Sequence, residues 1–562
     1  MKKILALVLA LVMVLGIFSC VYAENEKRTL TIVSDEGRDW GFLFETAIFK
    51  KLAEKLNCEF VFNPYDADSF AAWLAGGDLA DIIMCAEKID VILGTGYALN
   101  LDEVIDQIPN LKDGRVAATM QISRDMQSPD GNLYMLIPNI GIGDYQYGGA
   151  GDLSRGYVVY WDYYKELGCP EINNDDEYIA VLQQMYANHP VNEDGTPNLY
   201  YGVNPARAGL GGYRSAFLSS VNVNGWANYE YKSDLFTNEV KDGYLDDNGR
   251  YIVDMQFANK LYRLGMIDEE VFATPFSEVL ANAGQAKYMG MYWAAADGYV
   301  AIPSAATTQC YNGINLMGEA PGYYSIIWKD SKNIDLALEF FNTMYDVDFL
   351  RTCYSGEQGV TWDYDENGVP HMFEEAVAAR AAGTDSYWGA DKTDADEPGY
   401  GYGYVAHGLY GMSPATIHDD GYPLDLTFSK EVAITAMTPM QKDMAEAYGV
   451  DYYMEAYMNT SKDFRNDLGS AISACVSVSD DENRILNACE EVLSSGMADL
   501  IMAESDEEFA EAWVSIKEEI KDLGEEAIFA SYKVKWDELK DFMTPLLLDA
   551  LEANGFTPYA AD

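Results

Sequence analysis

The run Gly356-Glu357-Gln358-Gly359-Val360-Thr361-Trp362 places a carboxylate, an amide and an indole on one glycine-rich turn. Upstream, Tyr323–Trp328 reads as a short strand, and an amphipathic helix is expected from about Asn333 to Phe349. A turn held by a strand and a helix presents its side chains outward, the usual arrangement of a ligand-contacting loop. An acid and an amide can pair with hydroxyl groups, while an indole ring stacks on apolar C–H faces. That chemistry suits capture of a small polar molecule such as a sugar. Trp362→Ala is expected to weaken ligand binding with little loss of fold.

The next segment, Asp363-Tyr364-Asp365-Glu366-Asn367-Gly368 followed by Glu374, matches the calcium loop of an EF-hand, with Asp363, Asp365, Asn367 and Glu374 as candidate ligands. The same residues suit a β-hairpin with Asn367-Gly368 at its tip, and the glycine turn before them is not the helix an EF-hand needs. The hairpin is the preferred reading, with a calcium ion as the alternative; no other cofactor is expected. No His-Glu-x-x-His, Gly-x-Ser-x-Gly or Walker A pattern occurs. Carboxylate pairs for glycoside hydrolysis are too easily found among 91 acidic residues for any one pair to be informative. The eight cysteines show no CxxC spacing and the four histidines no metal-like spacing, so buried free thiols are the expectation.

The formal net charge of −54, from 91 acidic and 37 basic residues, disfavours nucleic acid or an anionic membrane surface as partner. Forty-one Tyr and ten Trp supply many rings for stacking. Trp73, Trp513 and Trp536 lie on helical stripes and read as core. For Trp40, Trp226, Trp293, Trp362 and Trp388, at strand ends, helix starts or glycine-rich turns, core packing and ligand stacking both remain open. Met1-Lys2-Lys3 followed by the apolar run Ile4–Phe18 reads as an export signal (residues 1–23), too short to span a bilayer. Val21-Tyr22-Ala23 suits a signal peptidase; Ile17-Phe18-Ser19-Cys20 suits lipidation at Cys20. Either outcome places the mature chain outside the cytoplasm, secreted or lipid-anchored.

The elements that would position these groups begin with a β-α-β-α-β alternation: a strand at Leu30–Val33, a helix at Trp40–Leu56, a strand at Cys58–Phe62, a short helix at Ser69–Ala75 and a strand at Leu79–Met84. Such alternation argues for a parallel α/β sheet, whose ligands bind beyond the carboxyl ends of its strands. Candidate contacts are therefore Glu36 and Trp40 after the first strand, and Glu87 after the third. Further candidates are Tyr147 in the glycine-tyrosine segment Gly141–Gly151, Trp226, Trp293 at the end of strand Lys287–Trp293, and Glu357, Gln358 and Trp362. Asp130-Gly131 and Asp247-Asn248-Gly249 read as hairpin turns, and 391–422 as a long ordered loop. The chain ends in helices, one capped by Ser505-Asp506-Glu507-Glu508 and stopped by Gly524, and a last one over Lys535–Leu551.

Several motifs, in order, resemble the extracellular solute-binding proteins of bacterial ABC importers, sugar-type family 1. Gly77-Asp78-Leu79-Ala80-Asp81-Ile82-Ile83 is similar to that family's Gly-Asp-x-Pro-Asp-Ile strand, and Asp130-Gly131-Asn132-Leu133-Tyr134 to its Asp-Gly-Lys-x-Tyr segment. Asp162–Gly168 resembles Asp-Trp-Leu-x-x-Leu-Gly, Leu261–Asp268 resembles Leu-Tyr-x-x-Gly-Leu-Ile-Asp, and Gly284–Met291 and Gly356–Trp362 resemble later motifs. Tyr160-Trp161 stand where the family often has an arginine. The resemblance implies a two-lobed type II periplasmic-binding-protein-like α/β fold with a helical C-terminal region. Lobe one would take 28–151 and 302–345, and lobe two 156–301 and 346–562, with ligand held between them and closure by a hinge. It implies a non-enzymatic, monomeric protein that passes an oligosaccharide or related polar solute to a membrane permease. A secreted glycoside-active enzyme and a binder of peptides or other solutes with the same fold are the alternatives.

Overall fold

The computed structural model describes residues 27–34, 41–63, 66–76, 80–85, 89–144, 156–203, 231–234, 237–292, 294, 296–310, 312–316, 324–381, 409–460, 462–464 and 468–555. The export signal with Cys20, the candidates Glu36, Trp40, Glu87, Tyr147, Trp226 and Trp293, and most of the 391–422 loop with Trp388 before it, lie outside the described residues. The chain divides into two compact units, Met1–Gly141 with Met317–Leu426, and Ile142–Leu316 with Thr427–Asp562. Among the described residues no helix is long and apolar enough to cross a membrane.

The first unit is built on a four-stranded sheet in the order Tyr324–Ile327, Ile82–Cys85, Arg28–Ser34, Cys58–Asn63. Arg28–Ser34 runs parallel to both its neighbours, with Ile32 opposite Ile82 and Arg28 opposite Cys58. Tyr324–Ile327 is antiparallel, closing the sheet with Ile327 opposite Ile82. Leu30, Ile32, Ile82, Ile83, Ile326 and Ile327 are fully buried, as a sheet covered on both faces requires. Asp81, from the Gly-Asp-x-x-Asp-Ile motif, ties this sheet together. Its carboxylate accepts from the Thr31 amide at 2.8 Å, from the Ser331 hydroxyl at 2.5 Å and from the Asn333 amide at 3.2 Å.

Helices differ from expectation where a polar residue at a helix start interrupts the apolar stripe. The expected helix Trp40–Leu56 is broken at Thr46, whose backbone is extended and whose hydroxyl donates to the Leu43 carbonyl. Ala47–Lys55 follows and buries Ile48, Phe49 and Leu52. The expected Asn333–Phe349 helix is likewise two, Ile334–Met344 and Val347–Ser355, because the Asp346 carboxylate caps the second by accepting from the Phe349 amide at 2.9 Å. After Asp130-Gly131 the chain forms no hairpin; Leu136 makes an isolated bridge to Ser325.

Residues 346–426, expected with the second lobe, pack in the first unit so far as they are described. Phe349 and Tyr410 both meet Phe49, at ring distances of 6.3 Å. The Tyr345 hydroxyl donates to the Ile137 carbonyl and that of Tyr354 to the Met412 carbonyl, each at 2.7 Å. The apolar side chains of Val347–Ser355 have their partners here, so the chain leaves this unit near Leu426 rather than near Tyr345.

The second unit holds another four-stranded sheet, Tyr299–Ala301, Val158–Tyr160, Tyr288–Met291, Leu199–Gly202, in that order. Leu199–Gly202 and Tyr288–Met291 are parallel, while Val158–Tyr160 is antiparallel to both Tyr288–Met291 and Tyr299–Ala301. Val158, Tyr288, Met291, Tyr299 and Ala301 form a core with Val279 and Ala283 of the helix Phe276–Gly284. Asn174 caps the helix Asp175–Asn188 by accepting from the Glu177 amide at 2.9 Å. Asp247-Asn248-Gly249 does not turn a hairpin. It starts the helix Arg250–Arg263, and the Asp247 carboxylate accepts from the Trp513 indole at 2.7 Å and also binds Lys517. The C-terminal part is helical: Asp480–Ile501, Asp506–Leu523 and Glu525–Ala553. Ser505 accepts from the Glu508 amide, and Gly524, at φ +93°, stops that helix. The last helix starts at Glu525, well before the expected Lys535, because Ile528 and Tyr532 continue the buried stripe toward the N-terminus.

Candidate functional site

In the first unit, parallel pairing brings the carboxyl ends of three strands to one edge of the sheet, with Val33 opposite Asn63. Ser34 lies opposite Met84, and the antiparallel strand begins at the same edge with Tyr324 opposite Cys85. The segment carrying Glu36 and Trp40 follows Ser34 in the chain, and the segment carrying Glu87 follows Cys85. Strand ends of this kind leave backbone groups unpaired and the chain free to vary, which is why parallel sheets gather ligand contacts there.

The second unit repeats the arrangement with a mixed sheet. Gly202 and Met291, the last residues of its parallel strands, lie opposite one another. Val158, the first residue of the antiparallel strand, sits opposite Met291, and Ala301 opposite Val158. One edge therefore collects three chain exits and one entrance. The segment with Trp226 leaves after Gly202, Trp293 follows Met291 closely, and Tyr147 precedes Val158 in the chain. Glycine is required at Gly290 within this sheet. A Cβ there would lie 2.5 Å from the Tyr178 hydroxyl and 2.7 Å from the Val158 carbonyl oxygen.

The Tyr160-Trp161 pair has a structural task. Trp161 is buried, and its indole donates to the Asp443 carboxylate at 2.8 Å, which Lys165 also binds. These two donors hold Asp443 below the usual carboxylate range, Lys165 contributing most.

The glycine turn of the first unit is supported from within. Trp362 is 5% exposed, and its indole N–H donates to the Gly356 carbonyl at 2.8 Å. Gly356 and Gly359 both adopt positive φ, which bends the turn back on the ring. Glu357 accepts from the Lys51 ammonium at 2.5 Å, and the Gln358 amide donates to Asp363 at 2.9 Å. Below Trp362 lies Arg351, 2% exposed, with its guanidinium 5.4 Å from the indole. Arg351 forks onto both oxygens of Asp420 at 3.0 Å and donates to the Tyr422 carbonyl at 3.1 Å. Tyr364 donates to Asp420 at 2.9 Å, and His418 bridges Asp420 at 3.2 Å and Asp348 at 2.9 Å. Burial alone would raise the Asp420 carboxyl, but the hydrogen bonds from His418 and Arg351 hold it far below the usual range. His418 is raised, chiefly by its bond to Asp420, against the opposing effect of burial.

Sequence reasoning missed this network. Arg351 and Asp420 are distant in the chain, and neither stands in a recognisable motif. A ring so enclosed as Trp362 holds the turn in place, so its removal is expected to cost fold stability as well, where the sequence suggested little loss.

The segment Asp363–Glu374 is a hairpin. Trp362–Tyr364 pairs antiparallel with Pro370–Met372, with Asp363 opposite His371. Asp365 accepts from the backbone amides of Asn367 and Val369, both at 2.8 Å, and Glu374 opens the helix Glu374–Ala381. Among the described residues no group of three or more His, Cys, Asp or Glu could hold a metal ion.

No protein-family model matches the sequence, and no curated protein matches it either. Solved structures do match in fold. An HMO-binding ABC-transporter-associated solute-binding protein of Bifidobacterium longum infantis is 16% identical, with a TM-score of 0.54 over 91% of this chain and 99% of that one. An extracellular solute-binding protein of Bifidobacterium longum subsp. infantis is 15% identical, with a TM-score of 0.58 over 92% and 99%. The N-glycan transport solute-binding protein of Streptococcus pneumoniae is 12% identical, with a TM-score of 0.50 over 91% and 99%. The chain therefore has the α/β fold of solute-binding proteins, with a helical C-terminal region.

Proposed function

We propose that this protein is the extracytoplasmic solute-binding component of an ABC importer, capturing an oligosaccharide and delivering it to a membrane permease without chemically altering it. The observation that carries the reading is the shared fold over nearly the whole chain with proteins described as HMO-binding and as transporting N-glycans. The edge geometry within each unit supports it. One sheet leads into the segments with Glu36, Trp40 and Glu87, and the other into those with Tyr147, Trp226 and Trp293. Carboxylates would accept hydroxyl hydrogen bonds and rings would stack on the C–H faces of a saccharide. Glu357 and Gln358, on the surface of the first unit, remain further candidates for polar contacts. Specificity would rest on satisfying every buried hydroxyl, since one left unpaired costs ~1–3 kcal/mol.

Titration calorimetry against panels of oligosaccharides and peptides tests this. Saturable binding to an oligosaccharide, with no release of new reducing ends on long incubation, is the expected result. Turnover abolished by one carboxylate substitution would instead establish a glycoside-active enzyme, and binding confined to peptides would move the ligand class.

A further inference from the structure

The last helix, Glu525–Ala553, begins with a carboxyl group that the fold encloses completely: Glu525 is 0% exposed. Gly524 turns the chain sharply at φ +93°, so the first residue of the helix enters the interior. Among the described residues no Lys, Arg or His ranks among the chief groups acting on Glu525; Lys521 of the preceding helix lies instead 3.6 Å from the Glu526 carboxylate. The hairpin Tyr231–Ser233/Val240–Asp242 supplies the Tyr231 hydroxyl and the Asp242 carboxyl. The helix Asp480–Ile501 supplies the buried Cys489 thiol and Glu490, which is 8% exposed. Asp246 adds negative charge beside Asp242, and Glu526 beside Glu525, the latter partly offset by Lys521.

Asp242 is partly satisfied, accepting from the backbone amides of Tyr244 and Leu245 at 2.9 and 3.1 Å. Both Glu525 oxygens and the Tyr231 hydroxyl lack a well-formed hydrogen bond. Asp242 and Tyr231 both lie within hydrogen-bonding reach of Glu525, in contacts short of ideal geometry. Among the described residues no Lys, Arg or His ranks among the groups acting on Asp242 or Glu525.

We propose that Glu525 and Asp242 form a proton-operated latch, in which a protonated Glu525 seats the first turn of the last helix on the Tyr231–Asp242 hairpin and its ionisation loosens both. Two carboxylates in a buried site without a cation cannot both carry charge cheaply, so the pair keeps a proton. Burial, and then the charge of Asp242, push Glu525 up to about 8, and burial also raises Asp242. The same surroundings push the Cys489 thiol up to about 12 and raise the Tyr231 phenol, so both stay neutral throughout. A carboxyl raised in the closed state binds its proton more tightly there than in the open state. Opening therefore becomes easier as pH rises from the ordinary glutamate range, and levels off above about 8. What would loosen is a seam of rings: Tyr231 lies 4.6 Å from Tyr532 and 5.2 Å from Phe529, and the Trp536 indole donates to the Asn238 carbonyl at 2.9 Å.

Hydrogen exchange of the full chain, corrected for the intrinsic pH dependence of exchange, tests the latch. In the wild type, protection of amides in 525–536 and 237–245 should fall on the order of fifty-fold from pH 6 to pH 8, as one differentially bound proton requires. E525Q should abolish most of that fall, and D242N should shrink it by removing the neighbouring charge. A wild-type chain without the fall overturns the proposal. So does E525Q retaining it in full, or, if E525Q does not fold, D242N retaining it in full.

Discussion

Trp362 and Arg351 show how little a side chain's type says about its task. An indole on a glycine turn suits ligand stacking, yet here it roofs a buried guanidinium and bonds to its own turn. Trp362→Ala should lower stability by about 3–5 kcal/mol, the usual cost of emptying a buried aromatic site, read as a lower midpoint in urea denaturation. Arg351→Met should cost a similar amount, about 3–5 kcal/mol, because it strands Asp420 in a mostly buried site with much of its positive charge gone. The pH dependence follows from two opposite shifts. His418 is raised, so its contribution is complete below about pH 6.5 and is lost as pH rises through its folded-state value. Asp420 is depressed, so its contribution is present above about pH 4 and is lost as pH falls. The network should be strongest between these limits. His418→Gln should flatten the alkaline decline of the first unit's thermal midpoint and also shrink the acid-side loss, which Arg351 would then chiefly sustain. None of this was legible in the sequence, because the partners come from remote segments and no local spacing marks a salt bridge.

At the scale of elements, much was legible, because apolar periodicity and capping residues act locally. The three parallel strands of the first unit and the Ser505 helix lie where their patterns place them. The errors have a common cause. Thr46 and Asp346 interrupt apolar stripes that look continuous, and Asp247-Asn248-Gly249 has the composition of a hairpin tip but serves a helix start. A turn motif states that the chain reverses, not what it joins. Gly290 gives a test at this scale. Gly290→Ala brings a methyl group against the Val158 carbonyl, which a backbone held in the sheet cannot yield. We expect a loss of about 1–3 kcal/mol, as for other overpacked sites, with Gly265→Ala, where no atom crowds the new Cβ, failing to reproduce the steric part.

For the whole molecule, the proposed role rests on two units, each with a sheet whose edge leads into candidate ligand segments. Trp293→Ala and Trp226→Ala should each weaken oligosaccharide binding about tenfold, the value of one stacked ring at ~1.4 kcal/mol, with calorimetric titration as the measurement. Unchanged affinity in both would move the ligand contacts elsewhere. By itself, the sequence determined the α/β class, the helical C-terminal region, the strongly acidic character and the chain positions that follow strand ends. Those properties depend on periodicity, composition and residues close in the chain. Only the tertiary structure decided that the described residues of 346–426 pack with the first unit, that Trp362 is buried over Arg351, and that Glu525 is enclosed beside Asp242. Each of these depends on contacts between segments far apart in the chain, and the energies of burial and unpaired charge exist only once those segments have met.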